Sequence, residues 1–105
     1  GKEKKIIYIN FVMQVSPACD CYPNNDAPIV RDIGILASTD PVAIDTASCD
    51  LVNNEKSIPN TAIKKPLKKG DDKWRALYPS IDWNIQLEHA QMLGLGEKTY
   101  TLIKI

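Results

Sequence analysis

Ile6 to Val15 constrains the fold of this chain more than any other stretch. Ile6, Ile7, Tyr8, Ile9, Phe11, Val12, Met13 and Val15 make it almost continuously apolar, and most are β-branched or aromatic. A strand covered on one face alternates apolar with polar residues, whereas a near-unbroken apolar run predicts a strand covered on both faces. Central placement in a layered α/β domain is therefore expected. With 105 residues the chain has room for one modest core. It reads as a single α/β domain over residues 1–105.

The elements after that strand are set by punctuation. Residues 16–28 hold Pro17, Pro23 and Pro28 among Asn and Asp, which predicts an irregular loop carrying Cys19-Asp20-Cys21 at its start. Ile29 to Ser38 predicts a second strand, with Gly34 marking a bulge or a close backbone approach. Asp40-Pro41 is the strongest local signal: a carboxylate at the N-cap accepts orphan amides, and proline at the first helical position has no amide to lose. A helix from Pro41 to about Asn54 follows, with Ile44, Ala47 and Leu51 on one side. Residues 55–80 form a basic connecting segment containing Lys64, Lys65, Lys68, Lys69, Lys73 and Arg75, in which a short helix is expected near Asp72 to Tyr78. Asp82 is expected to cap a helix ending at Leu93 before a left-handed Gly94, and Thr99 to Ile105 a final strand. The expected fold is α/β, a small mainly parallel or mixed sheet covered by helices.

Thirteen basic and thirteen acidic residues cancel, so no long-range field gathers a polyanion, and nucleic acid is not an expected partner. No apolar stretch reaches the roughly 20 residues that span a bilayer. No membrane partner is expected. The Lys-rich start lacks the apolar run of a signal peptide and has no initiator Met, which predicts a piece of a longer protein. Three cysteines are an odd number, and a bridge across one intervening residue is strained, so a reducing cytoplasm is the expected compartment.

Cys19 and Cys21 are the candidate ligands for a soft metal or an iron–sulfur cluster, with Asp20 or Asp26 adding oxygen. Further donors are limited to Cys49, His89 and other carboxylates. Thiols that merely fill a loop, and thiol chemistry, are the other readings of the pair. Cys49 fits a small core residue of the first helix, and His89 a structural histidine. Were the first two strands parallel neighbours, Asp20, Asp40 and Asp45 would meet at one sheet edge, where open α/β sheets bind ligands, with Asp32 toward the opposite end. The plain role for Asp40 is helix capping. The basic segment with Trp74 has the composition of an RNA or acidic-protein contact, and a solvated loop is the plainer account.

Taken together, Asn10 to Cys21, Pro28 to Ser38, Asp40-Pro41-Val42-Ala43-Ile44-Asp45, Leu87-Glu88-His89-Ala90 and Gly94-Leu95-Gly96 resemble the C-terminal part of a family of uncharacterised prokaryotic iron–sulfur-centre proteins that carry a domain of unknown function. The resemblance runs from about Tyr8 through most of the chain. It implies an iron–sulfur cluster or another metal in the full-length protein, whose ferredoxin-like cysteine module lies outside this sequence, since no C-x-x-C-x-x-C run is present. It also implies the N-terminal portion of the same protein as partner. The leading functional expectation is a metal-binding or iron–sulfur-associated domain with a thiolate site at the sheet edge. The alternatives are a structural or protein-interaction domain without metal, and a divalent-cation-dependent enzyme fragment using Asp20, Asp40 and Asp45.

Overall fold

A computed structural model describes residues 6–19 and 21–105. The expectation made for the first five residues lies outside them, as does Asp20. The element order is β1 (Tyr8–Val12), β2 (Gly34–Ser38), α1 (Pro41–Asn53), α2 (Lys73–Leu77) and α3 (Asn84–Met92). β1 and β2 are shorter than the apolar runs that announce them. Gly34 opens β2 at φ 146, and Ile29 and Val30, read as the beginning of that strand, are instead fully buried residues of the preceding irregular segment.

The expected parallel or mixed sheet is not what forms. β1 and β2 pair antiparallel as a two-stranded sheet, Tyr8 opposite Ser38 and Val12 opposite Gly34. The reason lies in the connection between them. A parallel pair needs a crossover, usually helical, but the chain after β1 returns on itself: Ile29 N–H donates to Val15 O at 2.8 Å and Ile33 N–H to Val12 O at 2.9 Å. These bonds close the neck of a loop and deliver β2 beside the end of β1. The expected final strand is also absent. Residues 99–105 run beside the free edge of β2 and line an open groove with α1, but make no ladder with it.

α1 forms as its sequence predicts. Asp40 Oδ1 accepts the amides of Val42 at 2.9 Å and Ala43 at 3.0 Å, and Pro41 takes the first turn. Val42, Ala43, Ile44, Thr46, Ala47 and Val52 are buried, and α1 packs against both strands and both other helices. The short α2 is likewise capped, Asp72 accepting Arg75 N–H. α3 begins two residues after Asp82, whose carboxylate still receives the Asn84 amide at 3.0 Å. Gly94 takes the left-handed conformation, φ 78, that terminates it. The core gathers Val12, Ile29, Val30, Val52 and Ile63, with Trp74 and Leu77 of α2 packed on it.

Beside that core lies Lys73, fully buried. Its ammonium donates to Asn53 O at 2.7 Å and Lys68 O at 2.6 Å, and its own amide donates to Asn53 Oδ1 at 2.9 Å. Burial pushes its pKa down while Asp71, Glu55 and Asp72 pull it back up. The side chain joins the end of α1 to the basic segment, which is why that segment is held rather than solvated at this point. Replacing Lys73 with Met keeps the length but leaves those carbonyls short of a donor. Chemical denaturation is expected to show a loss of about 1–3 kcal/mol; unchanged stability would mean that the ammonium is not holding the segment.

Candidate functional site

Antiparallel pairing decides which candidate residues can meet. The cysteine loop follows the Val12 end of β1, whereas Asp40 follows the Ser38 end of β2, which is the opposite end of the ribbon. At ~3.4 Å per residue, five paired positions separate those ends by about 14 Å. Asp32, expected at the far end, instead lies at the loop end, where its carboxylate accepts Gln14 N–H at 2.8 Å. That bond supports Gln14 at φ 50.

The cysteine loop is built around Asn25. Its side-chain oxygen accepts Ala18 N–H at 3.1 Å and Asp26 N–H at 2.9 Å, and its amide donates to Ala18 O at 2.8 Å and Cys19 O at 3.2 Å. From α2's end, Tyr78 O–H donates to Pro17 O at 2.5 Å. Tyr22 N–H donates to Cys19 O at 2.9 Å and closes a turn. On that turn the Cys21 thiol donates to Cys19 Sγ at 2.8 Å, and Cys21 N–H lies 3.4 Å from the same sulfur. Both side chains are exposed. The hydrogen bond to Cys19, and then the charge that Cys19 can carry, push the Cys21 thiol above its usual range.

Asp40 and Asp45 are each engaged elsewhere. Besides capping α1, Asp40 accepts Glu97 N–H through Oδ2 at 2.9 Å, an interaction no local sequence signal reveals. Asp45 Oδ1 accepts the Asn10 amide of β1 at 2.9 Å, which also donates to Ser48 Oγ at 3.0 Å. Cys49 is half-buried on α1, and burial, with Asp45, Asp50 and Asp72 nearby, pushes its thiol up to about 12. His89 sits on α3. Among the described residues no group of three or more His, Cys, Asp or Glu is placed to hold a metal ion. Cys19 and Cys21 supply two thiolates where an iron–sulfur cluster takes four ligands, so the described residues do not by themselves fit a cluster.

Two open depressions stand out among the described residues. One, of about 550 Å³, lies among Asp50, Asp72, Arg75, Asp82 and Lys98; Arg75 pairs with Asp82 at 3.2 Å, Lys98 with Glu88 at 3.7 Å, and Asp50 and Asp72 accept Tyr100 O–H and Trp83 Nε1–H. The other, of about 740 Å³, follows the free edge of β2 between α1 and the C-terminal segment. The outer face of the ribbon is also apolar. Ile9 and Phe11 of β1 are 56% and 67% exposed, and their register partners on β2 are Ala37 and Ile35, the latter 63% exposed. Ile7, 68% exposed, extends the stripe. The other face, with Val12 buried and Leu36 partly so, lies against the core and α1.

Fold and side chains define a small α/β domain with one helix-covered and one uncovered sheet face. Residues 3–50 match the family model described as a domain of unknown function, DUF362. No curated protein and no solved structure matches the chain. Among the described residues no helix is long and apolar enough to cross a membrane.

The C-terminal segment is clasped at several points, Gly96 and Tyr100 among them. A Cβ at Gly96 would collide with the Asp40 carboxylate. Gly96→Ala is therefore expected to lower stability by about 1–3 kcal/mol through loss of the cap and its amide partner, measured by thermal unfolding. Tyr100 O–H donates to Asp50 Oδ2 at 2.7 Å, and desolvation with that bond pushes the phenol up to about 12 from an ordinary 10.0. A raised folded-state value means that the contact stabilises fully below the unfolded pKa and is lost as pH climbs from 10.0 to about 12. Spectrophotometric titration should show a late phenol that Tyr100→Phe removes.

Proposed function

We propose that this chain is a protein-interaction domain whose outer β1–β2 face is its docking surface, and that another portion of the same polypeptide is its occupant. The observation that carries the reading is the cross-strand cluster of Ile9, Phe11 and Ile35, exposed in register on one face, with Ile7 exposed just ahead of β1. The apolar run in β1 is the pattern of a strand covered twice, and α1 covers it once. Both outer edges of the ribbon are unpaired among the described residues, and an isolated two-stranded ribbon is marginal in water. A second layer against the open face meets both needs. The family-matched residues 3–50 contain that whole face.

The chain by itself is expected to bind an environment-sensitive hydrophobic dye, and an Ile9→Asp/Phe11→Asp variant to lose most of that signal while keeping its helical circular dichroism. Equal dye binding by the variant would sink the proposal. Adding the remainder of the polypeptide, expressed separately, should protect the β1 amides from hydrogen exchange. Protection that depends instead on the concentration of this chain would transfer the face to a second copy.

A thiolate metal site is the second reading, supported by the 2.8 Å approach of two exposed sulfurs. It requires donors beyond Cys19 and Cys21, from Asp20 or from outside this chain, because Asp40 and Asp45 hold Glu97 and Asn10 at other places. On this reading the Cys19→Ser/Cys21→Ser variant of the natural-length polypeptide loses metal in elemental analysis. Unchanged metal content removes the pair from any site.

A further inference from the structure

Cys19 and Cys21 differ from Cys49 in exposure and in what surrounds the sulfur. They are exposed and share a hydrogen bond, whereas Cys49 is half-buried among carboxylates. The backbone on which they sit is held by other groups: Asn25 fixes Ala18 and the Cys19 carbonyl, and Tyr78 fixes Pro17. The sulfurs can therefore change partners while the loop keeps its shape. Their roles are unequal, because Cys19 Sγ is the acceptor of both the Cys21 thiol and the Cys21 N–H. Both donors converge on one sulfur, and in exchange the attacking species is a thiolate.

We propose that Cys19 and Cys21 form a thiol–disulfide exchange site for low-molecular-weight disulfides, in which Cys19 attacks and Cys21 resolves. The Cys19 thiolate attacks one sulfur of R–S–S–R; that S–S bond breaks, one thiolate leaves and takes a proton, and Cys19 is joined to the remaining RS group. Cys21 gives up its proton and attacks Cys19 Sγ, expelling the second RS thiolate, which is protonated in turn. The cysteine pair is oxidised by two electrons and the small disulfide is reduced to two thiols. The second step is intramolecular, with the resolving sulfur already in contact with the one it attacks. A bridge over one intervening residue is strained, and strained bridges are the labile, readily reduced ones, so the pair cycles rather than locks.

The site stands apart from the docking face, and its test does not depend on any partner. The chelator-treated chain, kept anaerobic, is incubated with oxidised glutathione and followed by intact-mass spectrometry with peptide mapping. Wild type should lose two hydrogens, with a bridge between residues 19 and 21, no lasting glutathione adduct, and Cys49 unmodified. Cys21→Ser should retain one glutathione on Cys19, and Cys19→Ser should react about tenfold more slowly. A stable adduct on wild type, a pair that stays reduced under oxidised glutathione that oxidises dithiothreitol in a parallel tube, or equal rates for the two single variants would each overturn the proposal.

Discussion

A single carboxylate ties the C-terminal segment of this molecule to its middle. Asp40 Oδ1 takes the first amides of α1 and Oδ2 takes the Glu97 amide, so helix start and C-terminal segment share one anion. The far end of α1 is closed by the opposite charge, the Lys73 ammonium on the carbonyl of Asn53. Anion at the N-terminus and cation at the C-terminus both complement the helix dipole. Because both strands and both other helices pack against α1, fixing its two ends fixes the frame on which everything else rests. Gly96 belongs to the same device, since only a residue without a side chain lets the chain pass so close to the Asp40 carboxylate.

The parts of the fold legible in the sequence are those set by neighbours. Asp40-Pro41, Asp72 and Gly94 act within one turn of themselves, and the elements they start or stop are found where those residues place them. Strand direction is a different kind of property. It depends on whether the chain after Val15 crosses over or folds back, and that is decided by Ile29 and Ile33 reaching Val15 and Val12, bonds without a local signature. Thr99 to Ile105 has strand composition, but composition does not supply a ladder partner, and the segment lies along β2 without pairing. Asn25 is the residue most easily overlooked: its turn propensity was visible, its part in bracing the cysteine loop was not.

Reversing the direction of β2 changes the functional geography more than the fold. A parallel pair would have gathered thiols and carboxylates at one edge and made a composite metal site natural. The antiparallel pair sends Asp40 to one end of the ribbon and Cys19 and Cys21 to the other. Asp45 is drawn onto β1 by Asn10, where it joins helix to strand. The candidate residues thus divide into those that hold the frame, such as Asp40 and Asp45, and those left outside it, the cysteine pair among them.

The cysteine pair and the outer sheet face ask for different things from their surroundings. An apolar face gains by being covered, and its stabilisation scales with area removed from water, at about 25 cal/mol per Å². A thiol pair that exchanges with small disulfides works only while it stays open to solvent. The loop meets that demand because its order comes from an asparagine amide and a tyrosine hydroxyl rather than from burial or from the sulfurs. A covering layer on Ile9, Phe11 and Ile35 is compatible with an uncovered Cys19–Cys21 turn, since the strand ends between them. Separation along β1 is what allows one small domain to present an adhesive surface and a reactive one without either obstructing the other.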